Sequence, residues 1–407
     1  MSTKVAGIDV HKKVLMVVVN EPGAAEQDWN RAKFGTTTAE LRRLAAWLGE
    51  RHVEEAVMES TAQYWKPVWY ELEPHIRLHL AQAHSNKARR GRKHDFADAR
   101  RLVRRFLAEE LILSFVPGTE QRAWRTLTRT KVQLTEDQSR LHNQMESLLE
   151  EMRIKLSSVV SDLLGVSGYR MLRTLAGGET DPALLAALAD GRLQCSQAEL
   201  IEALSGQPHP IHLQLLGLFL DRYDVVAKQI AQLNQAIAEA LRVHQQAVMR
   251  LSEVPGFGAD SAQQVIAEVG PQASTFDSAA QLASWVGVCP GLKQSAEQNH
   301  SGRSAKGNRF LRRILNQAAQ AAVRKKGGYF QALFQRLLPR LGYKKAIWAV
   351  AHRLCRLVWK VLHQAVRYIE YGTELDPIQQ RKRALRLLLN LRRLGYDVTL
   401  KPNQELA

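Results

Sequence analysis

Apolar runs at the start of the chain alternate with polar turns in a pattern that reads as strands. Residues 5–10 (VAGIDV) and 14–19 (VLMVVV) predict two strands, joined as a hairpin through His11, Lys12 and Lys13. Glu21-Pro22-Gly23 turns the chain, and a third strand is expected over 31–35. Thr38 is expected to cap a helix with Leu41, Leu44, Ala45 and Leu48 on its apolar face. A strand over 55–59 ends on Glu59, a short helix spans 64–72, and another strand spans 77–83. A helix carrying Leu102, Val103, Phe106 and Leu107 closes this block, and Pro117-Gly118 ends it. The order predicts a mixed α/β domain over residues 1–116.

Beyond residue 117 the period changes to that of helices. Leu127, Leu134, Leu141 and Leu148 fall seven apart, with Lys131, Gln138, Met145 and Met152 in the alternate seam position. This heptad predicts a coiled-coil arm, and a helix in an ordinary bundle would carry much the same pattern. Residues 165–210 are mixed, with short helices expected at 182–188 and 197–204. A second long helix has Tyr223, Val226, Ile230, Leu233, Ile237 and His244 at spacings of three, four and seven, and would pair antiparallel with the first, within one chain or across a dimer. The arm and its insert occupy 117–250. A mainly α-helical domain follows over 251–371, with Ile347, Val350, Leu354, Val358 and Val361 on one stripe, and a basic helical tail over 372–407.

Composition adds a partner to this outline. The 407 residues carry 57 Lys and Arg against 40 Asp and Glu, a net charge of +17, so nucleic acid is the first partner to consider. No apolar run approaches the ~20 residues of a membrane span, no signal peptide is seen, and Cys195, Cys289 and Cys355 form neither a zinc pattern nor a disulfide framework. A cytoplasmic protein with reduced cysteines is expected.

Four carboxylates stand out against that basic background. Asp95 and Asp98 lie three apart at the opening of a helix and so share a face. Nine Lys or Arg lie from Lys87 through Arg105, among them Arg89, Arg90, Arg92 and Lys93. In isolation Asp95 would be an N-cap with a solvated neighbour. Asp9 in the first strand and Glu59 at the end of a later one change the weighting. Carboxylates from separate strands and a helix converging on one sheet edge repel unless cations bind, and hard oxygen ligands suit Mg²⁺ or Mn²⁺. Two such ions serve phosphodiester displacement. His11 shares a strand face with Asp9 and is expected beside the site or on the surface. No histidine is given a catalytic role.

A second chemical segment lies in the C-terminal half. Pro255-Gly256-Phe257-Gly258 between two helices resembles a helix-hairpin-helix turn whose N–H groups would hold a phosphate, and a plain interhelix turn would look the same. Residues 282–308 form a Gly-, Ser- and Lys-rich stretch expected to be a loop. It leads through Arg303, Lys306 and Asn308 into a basic helix with Arg309, Arg312 and Arg313. Hydroxyls beside cations and a helix N-terminus suit a scissile phosphate, gripped by hydrogen bonds or attacked by a serine. Trp348, Trp359 and Tyr368 are expected in the core, and Arg353 and Arg356 toward phosphates or solvent.

The layout of Asp9, Glu59, Asp95 and Asp98 resembles the RNase H-like fold in its RuvC-like DEDD form. The motifs GIDVHKK (7–13), MESTAQYW (58–65) and KHDFADARRL (93–102) resemble the N-terminal domain of DEDD-type insertion-sequence transposases related to the Piv/MooV DNA invertases. One departure is Ala62, where many members have glycine. Residues 282–319 (LASWVGVCPGLKQSAEQNHSGRSAKGNRFLRRILNQAA) are similar to the C-terminal domain of the same family, and together the likeness covers roughly 4–110 and 250–365. The resemblance implies a metal-binding site at the four carboxylates, a nucleophilic serine at Ser295 (alternatively Ser301), and a homo-oligomer, dimer or tetramer, acting on DNA. It also implies a structured non-coding guide RNA. A metal-dependent Holliday-junction-type endonuclease without a covalent intermediate, or a non-catalytic DNA-binding regulator, are the rivals.

Overall fold

The computed structural model describes residues 4–60, 62–83, 96–291, 293–295, 298–301, 304 and 306–370, with 385, 387–389, 391–393 and 397 in the tail. Lys87, Arg89, Arg90, Arg92, Lys93, Asp95 and Arg303 lie outside the described residues. The chain forms two compact units, Met1–Gly118 and Thr119–Ala407.

The first unit is a mixed sheet between helices. Its elements are β1 (Val5–Val10), β2 (Leu15–Val19), β3 (Asn30–Phe34), α1 (Thr38–Glu50), β4 (Glu55–Ser60), α2 (Trp65–Leu72), β5 (Arg77–Ala81), α3 (Ala97–Leu107) and β6 (Leu113–Ser114). The strand order is β3-β2-β1-β4-β5-β6. The hairpin partners β2 and β3 run antiparallel, while β1, β4 and β5 are parallel, an arrangement compatible with an RNase H-like domain. Alternation decides the faces. Ala6, Ile8, Val10, Leu15, Val17, Val19, Ala56 and Met58 pack against Leu41, Leu44 and Leu48 of α1 and Val68 and Leu72 of α2. On the opposite face Val5 and Val57 meet Leu102 and Val103 of α3, and Met16 and Val18 meet Ala99.

The departures from expectation are local. Thr37, not Thr38, is the N-cap of α1, and its side chain makes no capping bond; Gly35 N–H donates instead to Glu40 at 2.9 Å. α3 begins at Ala97, two residues past Asp95, with Phe96 in the N-cap position. β6 is only two residues long, too short for periodicity to reveal. Ala62 has φ of +56°, in the left-handed region that favours glycine, a physical reason for the glycine expected there.

The second unit is helical. α4 (Thr119–Glu151), α5 (Leu156–Val159), α6 (Val166–Ala176), α7 (Pro182–Ala186), α8 (Gln197–Leu204) and α9 (Pro210–Ala240) are followed by α10 (Gln245–Ser252), α11 (Ala259–Val269) and α12 (Ala279–Val286). A hairpin of β7 (Lys293–Ser295) and β8 (Gln298–Ser301) then leads to α13 (Arg309–Ala322) and α14 (Tyr329–His363), which breaks at Gly342. α4 and α9 pair antiparallel within the chain. Glu151 at the end of α4 reaches His212 at the start of α9 (3.9 Å), and Trp124 near the start of α4 meets His244 just beyond α9 (5.1 Å between rings).

In the second half of α4 the positions expected in the seam are buried, in a core shared by several helices. Leu141, Met145, Leu148 and Met152 are buried with Leu216 and Leu220 of α9 and Met171 and Leu172 of α6. In the first half the buried face moves to Trp124, Arg125, Thr128 and Val132, because α11 also packs there. The stripe from Ile347 to Val361 is buried as expected, though the helix ends at His363. No described helix is long and apolar enough to cross a membrane, and all three cysteines are unpaired.

Position 7 sets how closely α3 approaches the sheet. A Cβ on Gly7 would stand 2.2 Å from the carbonyl oxygen of Ala99 and 2.7 Å from Val103 Cγ2. Gly7→Ala is therefore expected to lower unfolding stability by about 1–3 kcal/mol through overpacking. Urea denaturation measures this, and unchanged stability would mean that α3 does not seat against β1 as described.

Candidate active site

Strand register brings two of the carboxylates side by side. β1 and β4 pair in parallel with Asp9 opposite Glu59, near the carboxyl ends of both strands, where open α/β sheets bind ligands. Val5, four residues before Asp9, and Val57, two before Glu59, contact α3, so Asp9 and Glu59 belong to that face. α3 supplies Asp98, next to the Ala99 that seats on Gly7.

The charge environment links Asp9 to Asp98. Asp9 holds its proton above the usual carboxylate range, first because it is largely buried and also because Asp98 repels its charge. His11 and Arg101 pull the other way. His11 Nε2 lies 3.1 Å from Asp9 Oδ2, and Arg101 Nη1 lies 2.9 Å from Asp98 Oδ1. Among the described residues no group of three or more His, Cys, Asp or Glu side chains stands in metal-holding geometry. The donor set is nonetheless one of hard oxygens whose mutual repulsion a divalent cation would relieve.

The serine-bearing stretch is a hairpin rather than an open loop. Ser295 ends β7 and pairs in register with Gln298, while Ser301 ends β8 and pairs with Lys293, so the two serines mark opposite ends of the ribbon. Its short, polar strands offer no apolar alternation, which is why the sequence reads as a loop.

Both stems of the hairpin are tied down. Chain leaves α12 through Gly287, at φ +76°. It returns at Gly307, where a Cβ would meet the Val286 carbonyl oxygen at 2.2 Å. The guanidinium of Arg312 donates to the Gly287 carbonyl, with Ser304 Oγ 3.3 Å away, and lies over the Trp348 ring. Asn308 caps α13, accepting from the N–H groups of Phe310 and Leu311.

Asn308 also donates to a carboxylate that sequence reasoning missed. Glu268 is 1% exposed inside the apolar face of α11. It accepts from Asn308 Nδ2 at 2.7 Å and from Arg129 at 2.7 and 2.9 Å, and Arg125 Nε stands 3.5 Å away. Burial lowers the Arg125 pKa to about 10, leaving it charged at neutral pH. The available signal was a carboxylate within the run Val265-Ile266-Ala267-Glu268-Val269, matched by two arginines four apart on α4.

The other expected nucleic-acid contacts divide. Gly256, at φ +89°, is shaped by packing, since a Cβ would meet the Ala318 carbonyl oxygen at 2.1 Å. Gly258 is the exposed N-cap of α11, and its N–H donates to Ser261 Oγ at 2.9 Å. Asn308 and Arg312 spend their polar groups on the hairpin stem, whereas Lys306 and Arg309 are exposed.

Removing the buried acid should show its weight. Glu268→Ala leaves Arg125 and Arg129 without their counter-charge and is expected to cost ~3–5 kcal/mol. Denaturant unfolding checks this, and a loss below ~0.5 kcal/mol would mean the cluster is solvated rather than buried.

Two family models match the chain. Residues 6–154 match a DEDD transposase family of the IS110 type, and residues 248–335 match the transposase IS116/IS110/IS902 family. Among curated proteins no relative matches. The first match contains Asp9, Glu59, Asp98, Arg125 and Arg129, and the second contains the hairpin, Glu268 and Asn308. With both models met in this order along one chain, the protein belongs to the DEDD-type transposases of insertion sequences.

Proposed function

We propose that the chain cuts and rejoins DNA as the recombinase of an insertion sequence, with Asp9, Glu59, Asp95 and Asp98 holding Mg²⁺ or Mn²⁺ and Ser295 as nucleophile. The observation that carries this reading is the register pair Asp9–Glu59, with Asp98 near enough for its charge to raise Asp9. Bound between such carboxylates, a divalent ion supplies charge stabilisation at the scissile phosphate. This chain's own residues do the rest. His11 and Arg101 partner Asp9 and Asp98 and hold their charge in check. Lys306 and Arg309, exposed beside the hairpin stem, grip DNA phosphates.

Ser295 Oγ attacks phosphorus and forms a phosphoserine ester. The DNA P–O bond breaks, and the departing DNA hydroxyl takes up the proton the serine loses. Attack by a DNA hydroxyl on the phosphoserine reverses the bookkeeping and restores the serine, so no external energy source is needed. A structured non-coding RNA as guide is part of the proposal, supported by the net charge of +17 and by the resemblance. So is assembly as a dimer or tetramer. Ile211, Leu218 and Val225, seven apart on α9, are exposed at 54%, 52% and 56%, as a helix face that meets another copy would be.

Trapping tests the nucleophile. Full-length protein, expressed with its flanking non-coding DNA, is mixed with labelled element-end DNA and Mg²⁺, then denatured. Wild type is expected to give a DNA-shifted protein band, and Ser295→Ala to lose it while Ser301→Ala keeps it. Loss only in Ser301→Ala would move the nucleophile by six residues. Metal-dependent cleavage without adduct, indifferent to both serines, would favour the junction endonuclease instead.

A further inference from the structure

The second half of α14 turns one cationic face outward. Arg353, Arg356, Lys360 and Gln364 follow at spacings of three, four and four, all exposed. They line one side of a cavity of about 630 Å³. Tyr329 and Phe330, at the start of the same helix, and the segment 366–369, which follows it, form the other sides.

The carboxylates near this cavity are taken by other groups. Glu253 pairs with Arg367. Glu370 accepts from Lys325, from the N–H of Tyr329 and from the Tyr368 hydroxyl. Among the described residues neither Arg356 nor Lys360 has a carboxylate partner, and Arg353 donates only to the Tyr329 hydroxyl at 3.2 Å. The aromatic groups differ in how far they are committed. Trp359 is structural, as its residue type suggested. Its indole N–H donates to the Phe276 carbonyl at 2.7 Å, and its ring stacks on His363 with centroids 4.4 Å apart. Tyr368 is anchored through its hydroxyl to Glu370 and through its backbone N–H to Glu253, and its half-buried ring lines the cavity.

Cations on one wall and an aromatic ring on another suit a ligand with both a phosphate and a flat base. The volume lies within the ~300–1,000 Å³ of pockets that enclose one small ligand. A base still stacked in a duplex cannot enter such a space. We propose that this cavity receives one unstacked nucleotide of a single-stranded nucleic acid, its base against Tyr368 and its phosphates on Arg356 and Lys360. The proposal rests on the recombinase reading only in that the chain handles nucleic acid. It uses the π-face and the phosphate, which every nucleotide of either sugar presents.

Binding of fluorescent oligo-dT, oligo-U and a duplex to the full-length protein tests it, with thymidine monophosphate as competitor and thermal melting as the folding control. Tyr368→Leu is expected to weaken both single strands by roughly ten-fold or more, the loss of one base–aromatic stack. Tyr368→Phe keeps the ring, and its backbone N–H still meets Glu253, so it should retain most of the single-strand binding that Tyr368→Leu loses. The pair Arg356→Ala and Lys360→Ala should flatten the salt dependence of single-strand binding by about 1.4 in log–log slope, for two phosphates. Duplex binding should be unchanged in all of these.

Equal binding by wild type, Tyr368→Leu and the double variant would overturn the proposal, as would equal losses for duplex and single strand. Competition by thymidine monophosphate as strong as by oligo-dT would also overturn it, in favour of a free-nucleotide site. The adduct assay run on the same variants separates the two readings. An adduct with no pocket effect removes the pocket alone, and a pocket effect without any adduct removes the recombinase reading alone.

Discussion

The carbonyl oxygen of Ala99 occupies the space that a side chain at position 7 would need, and the seating of α3 on β1 depends on that contact. Because Gly7 has no Cβ, α3 lies directly on β1 and carries Asp98 toward Asp9. Parallel pairing of β1 and β4 adds Glu59 at the same level. The consequence is electrostatic. Burial first, and then the charge of Asp98, raise the proton affinity of Asp9, and His11 and Arg101 only partly offset them. Such a cluster adds nothing to the fold's own stability; in the proposed reading it is a seat for hard divalent cations.

The second unit relies on the same kind of close approach. At Gly256 and Gly307 backbone carbonyls stand where a Cβ would be, which fixes α13 against the turn before α11 and against the end of α12. Glu268 ties α4, α11 and the first residue of the α13 cap into one buried polar cluster. Buried ion clusters of this kind contribute little net stability over apolar packing. What this one contributes is a fixed start for α13, and so a fixed stem for the hairpin that carries Ser295.

Much of the first unit was legible because its signals are local. Period-two alternation identifies β1 and β4, and the same alternation assigns Asp9 and Glu59 to one face once Ile8 and Met58 are known to be core. The three-residue spacing of Asp95 and Asp98 was visible, but not that the helix starts at Ala97. Elements defined by long-range partners were not legible. The β7–β8 hairpin has polar strands, and the buried face of α4 shifts halfway because α11, more than a hundred residues later in the chain, covers it. The start of α9 was missed although Pro210 stands at its first turn, the position proline prefers, behind a capping His209. Glu268 stands out in sequence as an acid within an apolar run, but its partners do not. Only Arg125, Arg129 and Asn308 make it a structural centre.

The most direct test of the carboxylate cluster is Mn²⁺ uptake by the full-length protein, followed by loss of the free-ion electron paramagnetic resonance signal. Wild type is predicted to take up Mn²⁺, and Asp9→Asn, Glu59→Gln and Asp98→Asn each to lose at least about ten-fold in affinity while melting as cooperatively as wild type. Mn²⁺ binding by all three variants at the wild-type level would show that these residues, though gathered at one edge of the sheet, do not form a metal site.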